Sequence, residues 1–341
     1  MKLAMLAFTE KGLQLAGRLQ RLLVDNGAAS AERCIKNGLH SWTAQHFDTA
    51  DALVFIGAAG IAVRAIAPFI QSKTRDPAVL VIDECAEFVI PLLSGHIGGA
   101  NALATRLAAL LGARVVITTA TDCNGLFAID SWAVGQGYVI CNPDHIKRVS
   151  ARLLSGQAIR VKSDFATAID PALAGDIICA DSAPFDVEIG ISTNVGSALH
   201  IIPQVLTLGV GCKKRTPMAE INAAFDRLCA DFNLEPRAFC RVCSIDLKAK
   251  EPGLLSFCHD IGLPLVTFSA ETLAALSGDF TASDFVRGIT GVDNICERSA
   301  VFGSAGTLLA KKQVYNGVTM AVARAAHMVH IYNAPPDGAV L

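Results

Sequence analysis

Phe88-Val89-Ile90-Pro91-Leu92-Leu93-Ser94-Gly95-His96-Ile97-Gly98-Gly99-Ala100-Asn101 is an apolar run that breaks into small residues and one histidine, after which a helical pattern begins. Phenylalanine, valine and isoleucine favour extended backbone. Gly95, Gly98 and Gly99 permit angles and close approaches that side chains forbid. Leu103, Leu107, Leu110 and Leu111 then recur at helical spacing, so the glycines are expected at a helix N-terminus, where unpaired N–H groups favour an anionic oxygen. Strand, small-residue turn and helix, in that order, form the unit of an open α/β sheet.

The same unit recurs on either side. Leu3 to Phe8 reads as a strand, with Thr9 capping a helix through Leu13, Leu15, Leu19, Leu22 and Leu23 that Asn26-Gly27 closes. Gly27 to Phe47 is less regular. Ala52 to Ile56 is a buried-strand pattern followed by Gly57-Ala58-Ala59-Gly60 and an apolar helix that carries Arg64 and ends near Pro68. Ala78 to Ile82 leads to Asp83-Glu84, and Arg114 to Thr118 is a further strand ending in Thr118-Thr119-Ala120-Thr121-Asp122. Ligands of open α/β sheets bind beyond the carboxyl ends of the strands. The turns at Asp83-Glu84, at His96 and at Thr118 to Asp122 are therefore expected on one edge.

From Phe127 to about Pro203 the pattern weakens, with short apolar pieces between Asn142-Pro143-Asp144, Asp170-Pro171 and Ala183-Pro184. A second clear unit starts with the strand Val205 to Val210 and the turn Gly209-Val210-Gly211-Cys212-Lys213-Lys214-Arg215. Thr216-Pro217 follows as N-cap and first helical residue of a helix through Ile221, Ala224, Phe225 and Leu228. Val242 to Leu247 and Leu265 to Phe268 read as strands and Gly253 to Ile261 as a helix, with Ser269 and Ser283 as caps of two more. The apolar stretch Thr319 to Ile331 is expected to be helical, stopped by Pro335-Pro336. The predicted class is α/β and multi-domain: two open, three-layer α/β units, 1–126 and 205–332, joined by a smaller middle module, 127–204, with a tail at 333–341.

The 341 residues are 52% hydrophobic and 18% charged, which fits buried parallel sheets and excludes a disordered or nucleic-acid-coating chain. A net charge of −2 gives no global pull on polyanions, so an anion site must be local. The N-terminal apolar run is short for a signal peptide, and no stretch is long enough to span a bilayer, so a cytoplasmic protein with reduced cysteines is expected, without membrane or nucleic-acid partners.

His96 sits between glycines at a strand end, with few packing partners of its own. It can serve as general acid or base, bind a carboxylate, or simply hydrogen-bond its own turn. Asp83, Glu84 and Asp122 follow strands, where a carboxylate orients a histidine, activates water or caps a turn. Thr118, Thr119 and Thr121 offer hydroxyls to a polar substrate. The Lys213-Lys214-Arg215 turn suits carboxylates or phosphates, but it is neither a dinucleotide fingerprint nor a P-loop. Cys240-Arg241-Val242-Cys243 has metal or redox spacing without the two further ligands a structural zinc site needs, so buried thiols are expected. His327 and His330 would share one helical face. No Gly-x-Ser-x-Gly elbow or His-Glu-x-x-His pair supports a serine hydrolase or a zincin.

Gly57 to Pro68, Asp83-Glu84, the whole Phe88 to Asn101 stretch and Val116 to Asp122 resemble the N-terminal part of the CbiG family, the cobalt-precorrin-5A hydrolases of anaerobic cobalamin biosynthesis. Leu208 to Lys214, Ser244 to Ala249, Glu251-Pro252-Gly253-Leu254, Gly291-Val292 with Cys296-Glu297, and Thr319 to Arg324 resemble that family's second domain. Three positions depart from its pattern: Ala86 and Arg215, where glycine is expected, and Lys250, where an acidic residue is common.

The resemblance implies that water opens the δ-lactone of cobalt-precorrin-5A and that acetaldehyde leaves, giving cobalt-precorrin-5B. The substrate carries the cobalt, so no cofactor or metal site of the protein's own is expected. Beyond this corrinoid, transient contact with neighbouring pathway enzymes is implied. In that light His96 is the expected general base, with Glu84 or Asp122 orienting it or handling the later proton transfer that accompanies carbon loss, and amides near Gly98 and Gly99 facing the oxyanion. Gly60, Ser94, Gly95, Asn101, Gly211 and the three threonines are expected to line the substrate, with Arg64, Lys213, Lys214 and Arg215 meeting its carboxylates in a cleft shared by the two α/β units. Rival readings are a tetrapyrrole carrier without chemistry and a nucleotide- or sugar-phosphate enzyme.

Overall fold

The computed structural model describes residues 1–23, 29–35, 37–72, 75–193 and 196–333. It is a mixed α/β chain built on three main sheets. The first holds six strands in the order Ala29–Arg33, Leu3–Ala7, Ala52–Ile56, Ala78–Ile82, Phe88–Leu93 and Arg114–Val115. Successive side chains of a strand point to opposite faces, and here both faces are covered. Leu3, Met5, Val54 and Leu80 pack with Leu15 and Leu19 of helix Glu10–Leu22 and with Leu103 and Leu107 of helix Ala100–Leu111. Their neighbours Leu6, Leu53, Phe55 and Val79 pack with Trp42 of helix Leu39–Phe47 and with Ala62 and Ile66 of helix Ala59–Ile66. Burial on both sides is why these strands read as continuous apolar runs.

One reversal in this sheet decides which turns share an edge. The first four strands in sheet order run parallel, but Phe88–Leu93 is antiparallel to Ala78–Ile82, and Arg114–Val115 is parallel to Phe88–Leu93. The His96 turn and the Thr118-to-Asp122 segment therefore share one edge. Asp83-Glu84 and Gly57 lie at the other, a strand length away, or roughly 17 Å for five residues at about 3.3 Å each. The expectation of three turns on one edge fails because Asp83 to Glu87 closes a hairpin. Asp83 accepts backbone N–H bonds from Cys85, Glu87 and Phe88 within it.

The middle sheet orders Ile177–Cys179, Ile159–Ser163, Val187–Ile189, Leu199–Ile202 and Val139–Ile140. The last sheet orders Leu265–Phe268, Phe239–Ile245, Leu206–Gly211, Val318–Arg324 and Thr307–Tyr315. Helices Met218–Asp231 and Pro252–Asp260 cover the latter through Phe225, Leu228, Leu254 and Phe257.

Several local expectations are corrected. Thr319 to Ile331 is not helical: Val318–Arg324 is a strand of the last sheet, and Met328–Ile331 pairs in parallel with Ala166–Ile169. His327 and His330 accordingly share no helical face. The strand after helix Ala100–Leu111 is only Arg114–Val115, and Asp122 lies in the short helix Ala120–Cys123. The Gly27-to-Phe47 stretch holds the Ala29–Arg33 strand and the Leu39–Phe47 helix. Pro217 precedes helix Met218–Asp231, and Thr216 donates its hydroxyl to the Lys213 carbonyl instead of capping. Thr9 and Ser269 do cap their helices, accepting from Gly12 and Thr272, whereas Ser283 occupies its cap position without a side-chain bond. Asn26-Gly27 and Pro335-Pro336 lie outside the described residues. No helix among the described residues is long and apolar enough to cross a membrane.

Candidate active site

The turn that follows Phe88–Leu93 is folded by its own backbone. Gly99 donates to the His96 carbonyl at 3.0 Å, Ala100 to Ser94 at 3.1 Å and Asn101 to Gly95 at 2.9 Å. Gly99, at φ 77°, starts helix Ala100–Leu111 in the left-handed region that glycine adopts without strain. Ser94, at φ 58°, donates its buried hydroxyl to the Asp76 carbonyl at 2.9 Å. The Gly99 amide is thus already spent, so of the two glycines expected to face an oxyanion only Gly98 keeps an N–H with no protein acceptor among the described residues.

These bonds hold the His96 ring between two segments, with its side chain 18% exposed. Nδ1 lies 2.6 Å from Ser131 Oγ. Nε2 lies 3.3 Å from the hydroxyl of buried Thr121 and 3.6 Å from Asp122 Oδ2. The second of these exceeds hydrogen-bond length but is close enough for charge to act. Asp122 is fixed in turn by the Thr119 hydroxyl and by Asn101 Nδ2 at 3.1 Å, and Asn101 also donates to Thr119 at 3.2 Å. Next to the histidine, Ile97 packs into the core of the middle sheet. The site therefore lies where the first sheet's edge meets the middle segment.

His96, Asp122, Ser94, Gly95, Gly98, Gly99, Asn101, Thr119 and Thr121 form this one constellation. Thr118 is exposed beside it. Glu84 is not part of it: it sits in the hairpin at the opposite edge and accepts from the Thr9 hydroxyl at 2.7 Å. Gly60 and Arg64 belong to the helix that follows Gly57 at that far edge, and the Arg64 guanidinium folds back onto the Gly60 carbonyl at 3.1 Å. Gly211 ends its strand in the last sheet, beside Thr319, whose hydroxyl donates to its carbonyl at 3.1 Å.

Lys213, Lys214 and Arg215 are exposed just beyond Gly211. Arg215 takes φ 62°, and its backbone N–H donates to buried Glu251, which Lys248 also holds at 3.1 Å. Burial pushes the Glu251 carboxyl up, but the hydrogen bonds from Lys248 and Arg215 and the charges of Lys248 and Lys214 outweigh it and hold the group below the usual range. Among the described residues no hydrogen bond or ion pair joins this turn to the His96 turn. A hollow of roughly 610 Å³ between helix Met218–Asp231 and Gln313 to Asn316 is lined by neither turn.

Ser131 is the residue that sequence reasoning missed. It stands 35 positions from His96 on the first turn of helix Ile129–Gly135, without the elbow motif that flags a reactive serine. Cys240 and Cys243 lie on strand Phe239–Ile245, where a spacing of three points side chains to opposite faces. Burial pushes the Cys243 thiol up to about 12.

Residues 41–122, which contain the His96 turn, match the model for the cobalamin synthesis G N-terminal domain, and residues 206–323, which contain the cationic turn, match that for its C-terminus. The cobalt-precorrin-5A hydrolase of Salmonella typhimurium is 34% identical over 337 residues, covering 93% of this chain and 96% of that protein. The chain belongs to the cobalt-precorrin-5A hydrolase (CbiG) family. The Priestia megaterium member of that name is 29% identical over 94% of each chain. A solved structure of a cobalamin biosynthesis protein G homologue from Sulfolobus solfataricus is 22% identical, covers 95% of this chain and 97% of its own, and superposes with a TM-score of 0.40. Within the CbiG-like N-terminal stretch, His96 and Asp122 are a titratable pair that the fold brings together.

Proposed function

We propose that the His96 turn is where this chain hydrolyses cobalt-precorrin-5A, opening its δ-lactone so that the bridging carbon leaves with its methyl group as acetaldehyde and cobalt-precorrin-5B remains. The reaction is that of the family, and one observation carries its placement: an imidazole clamped between a serine hydroxyl and a carboxylate at a sheet edge. His96 is the general base. Asp122, 3.6 Å from Nε2, orients the ring and stabilises the imidazolium that forms. The Gly98 N–H, which has no protein acceptor among the described residues, is the donor that meets the negative charge growing on the lactone oxygen.

The cobalt enters and leaves with the macrocycle, so the protein needs no metal of its own. Lys213, Lys214 and Arg215 supply a local cation cluster, in a chain of net charge −2, for the carboxylates that fringe such a substrate. The test is to incubate purified protein with cobalt-precorrin-5A and assay acetaldehyde. Stoichiometric release supports hydrolysis at this site when Asp122→Asn slows it and Lys213→Ala/Lys214→Ala raises KM with kcat little changed. Tight binding with no acetaldehyde would instead make the chain a tetrapyrrole carrier.

A further inference from the structure

Ser131 faces His96 from outside both stretches that match the family models. Its helix is tied down on the far side, where Trp132 donates to the His330 carbonyl at 2.8 Å and Gln136 to the Tyr332 hydroxyl at 2.7 Å. The Ser131 N–H is held by Asp130 Oδ1 at 3.0 Å, and its side chain is half-buried. The tautomer of His96 follows from the charges around it. A carboxylate beside Nε2 favours the proton on that nitrogen, which leaves the Nδ1 lone pair pointing at Ser131. At 2.6 Å the serine hydroxyl then donates into that lone pair. This is the nucleophile–base–orienting-acid relation, with the two ring nitrogens exchanged from their usual assignment.

We infer that Ser131 is the nucleophile of the lactone opening, an inference that rests on this site being where the lactone is hydrolysed. As the Ser131 oxygen bonds to the lactone carbonyl carbon, its proton passes to His96 Nδ1. The carbonyl re-forms, the ring C–O bond breaks, and the departing alkoxide takes the proton from His96, leaving an ester on Ser131. Water then gives a proton to His96 and attacks that ester, and the serine oxygen leaves and recovers the proton. One water has been added across the lactone and the enzyme is unchanged. The freed hydroxyl sits on the bridging carbon; when that carbon leaves as acetaldehyde, the broken C–C bond's electron pair stays on the macrocycle and the hydroxyl proton goes to solvent.

A fluorophosphonate probe applied to the intact protein, with peptide mass spectrometry, reads serine activation without substrate. Ser131 is expected to be modified, with labelling at least about 100-fold weaker in His96→Gln. Ser131→Ala is expected to keep its melting temperature while single-turnover acetaldehyde release falls by about 1,000-fold or more. An unlabelled Ser131 in the wild-type protein, or Ser131→Ala turning over within tenfold of it, overturns the inference. A labelled Ser131 in a protein that releases no acetaldehyde refutes the choice of this lactone but not the activated serine, so the two failures are distinguishable.

Discussion

Adding a single methyl group at position 98 tests whether the turn's geometry is what makes His96 useful. In Gly98→Ala the new Cβ would lie 2.3 Å from Ser94 Cβ and 2.9 Å from the Ser94 carbonyl oxygen, where ordinary contact begins at 3.4 Å. The backbone must therefore open by about 1.1 Å (3.4 − 2.3) on the serine side. No flexible side-chain end is there to yield instead. Overpacking of this kind costs about 1–3 kcal/mol. A displacement near 1 Å in a positioning element costs on the order of 100-fold in rate. The His96 contacts at 2.6 and 3.3 Å cannot survive a shift of that size unchanged.

The assay pairs thermal melting with acetaldehyde release under saturating substrate. Gly17→Ala is the control: it lies inside helix Glu10–Leu22 with nothing within 4 Å of the new Cβ, so it should stabilise by about 0.5–1 kcal/mol and leave turnover alone. A second variant isolates the cause. Ser94→Gly in the Gly98→Ala background removes the 2.3 Å collision but leaves the 2.9 Å one and forfeits the Ser94 bond to Asp76, so recovery should be partial. Gly98→Ala with unchanged melting and turnover within threefold of wild type would refute the reasoning.

The remaining expectations concern other parts of the molecule. Ala86→Gly and Arg215→Gly replace side chains at φ 57° and 62°, so each should raise the melting temperature, gaining about 0.5–1 kcal/mol once glycine's greater unfolded-state freedom is subtracted; a lower melting temperature would count against strain there. Glu84→Gln should leave acetaldehyde release within about twofold, because Glu84 is bonded to Thr9 at the far sheet edge, whereas loss of rate would restore it to the mechanism. Burial lowers the pKa of His200 and His327 from 6.5, so the folded state resists protonation. Their contribution to stability is complete above pH 6.5 and is lost as pH falls below it toward the lower folded values; melting scans should show less acid slope in a His200→Gln/His327→Gln variant.

Strands buried on both faces were legible as continuous apolar runs, and Ala52–Ile56 and Ala78–Ile82 keep their sequence-read bounds, as does the less buried Phe88–Leu93. The same property hid the nature of Val318–Arg324. That strand lies between two others with both faces packed, so its sequence shows no alternation and is indistinguishable by periodicity from a buried helix. The edge assignment failed at one hairpin. Five polar or small residues from Asp83 to Glu87 between two apolar runs are a hairpin signal, and reading them so would have put Glu84 opposite His96 at once.

His96 could be picked out because it stands in a turn after an apolar strand, and Asp122 because the apolar run from Val115 to Ile117 ends in threonines and a carboxylate, although the structure folds that carboxylate into the short helix Ala120–Cys123. Ser131 could not. Its contact depends on how the weakly patterned middle segment folds back onto the turn, which Ile97 anchors by packing into the middle core, and no local spacing encodes that.

Single-turnover release of acetaldehyde from cobalt-precorrin-5A by His96→Gln, beside wild-type protein of equal melting temperature, tests the central claim most directly. Glutamine keeps a polar group near Ser131 but cannot take up a proton, so the rate should fall by about 100- to 10,000-fold. A rate near that of wild type would contradict the account and place the chemistry elsewhere in the chain.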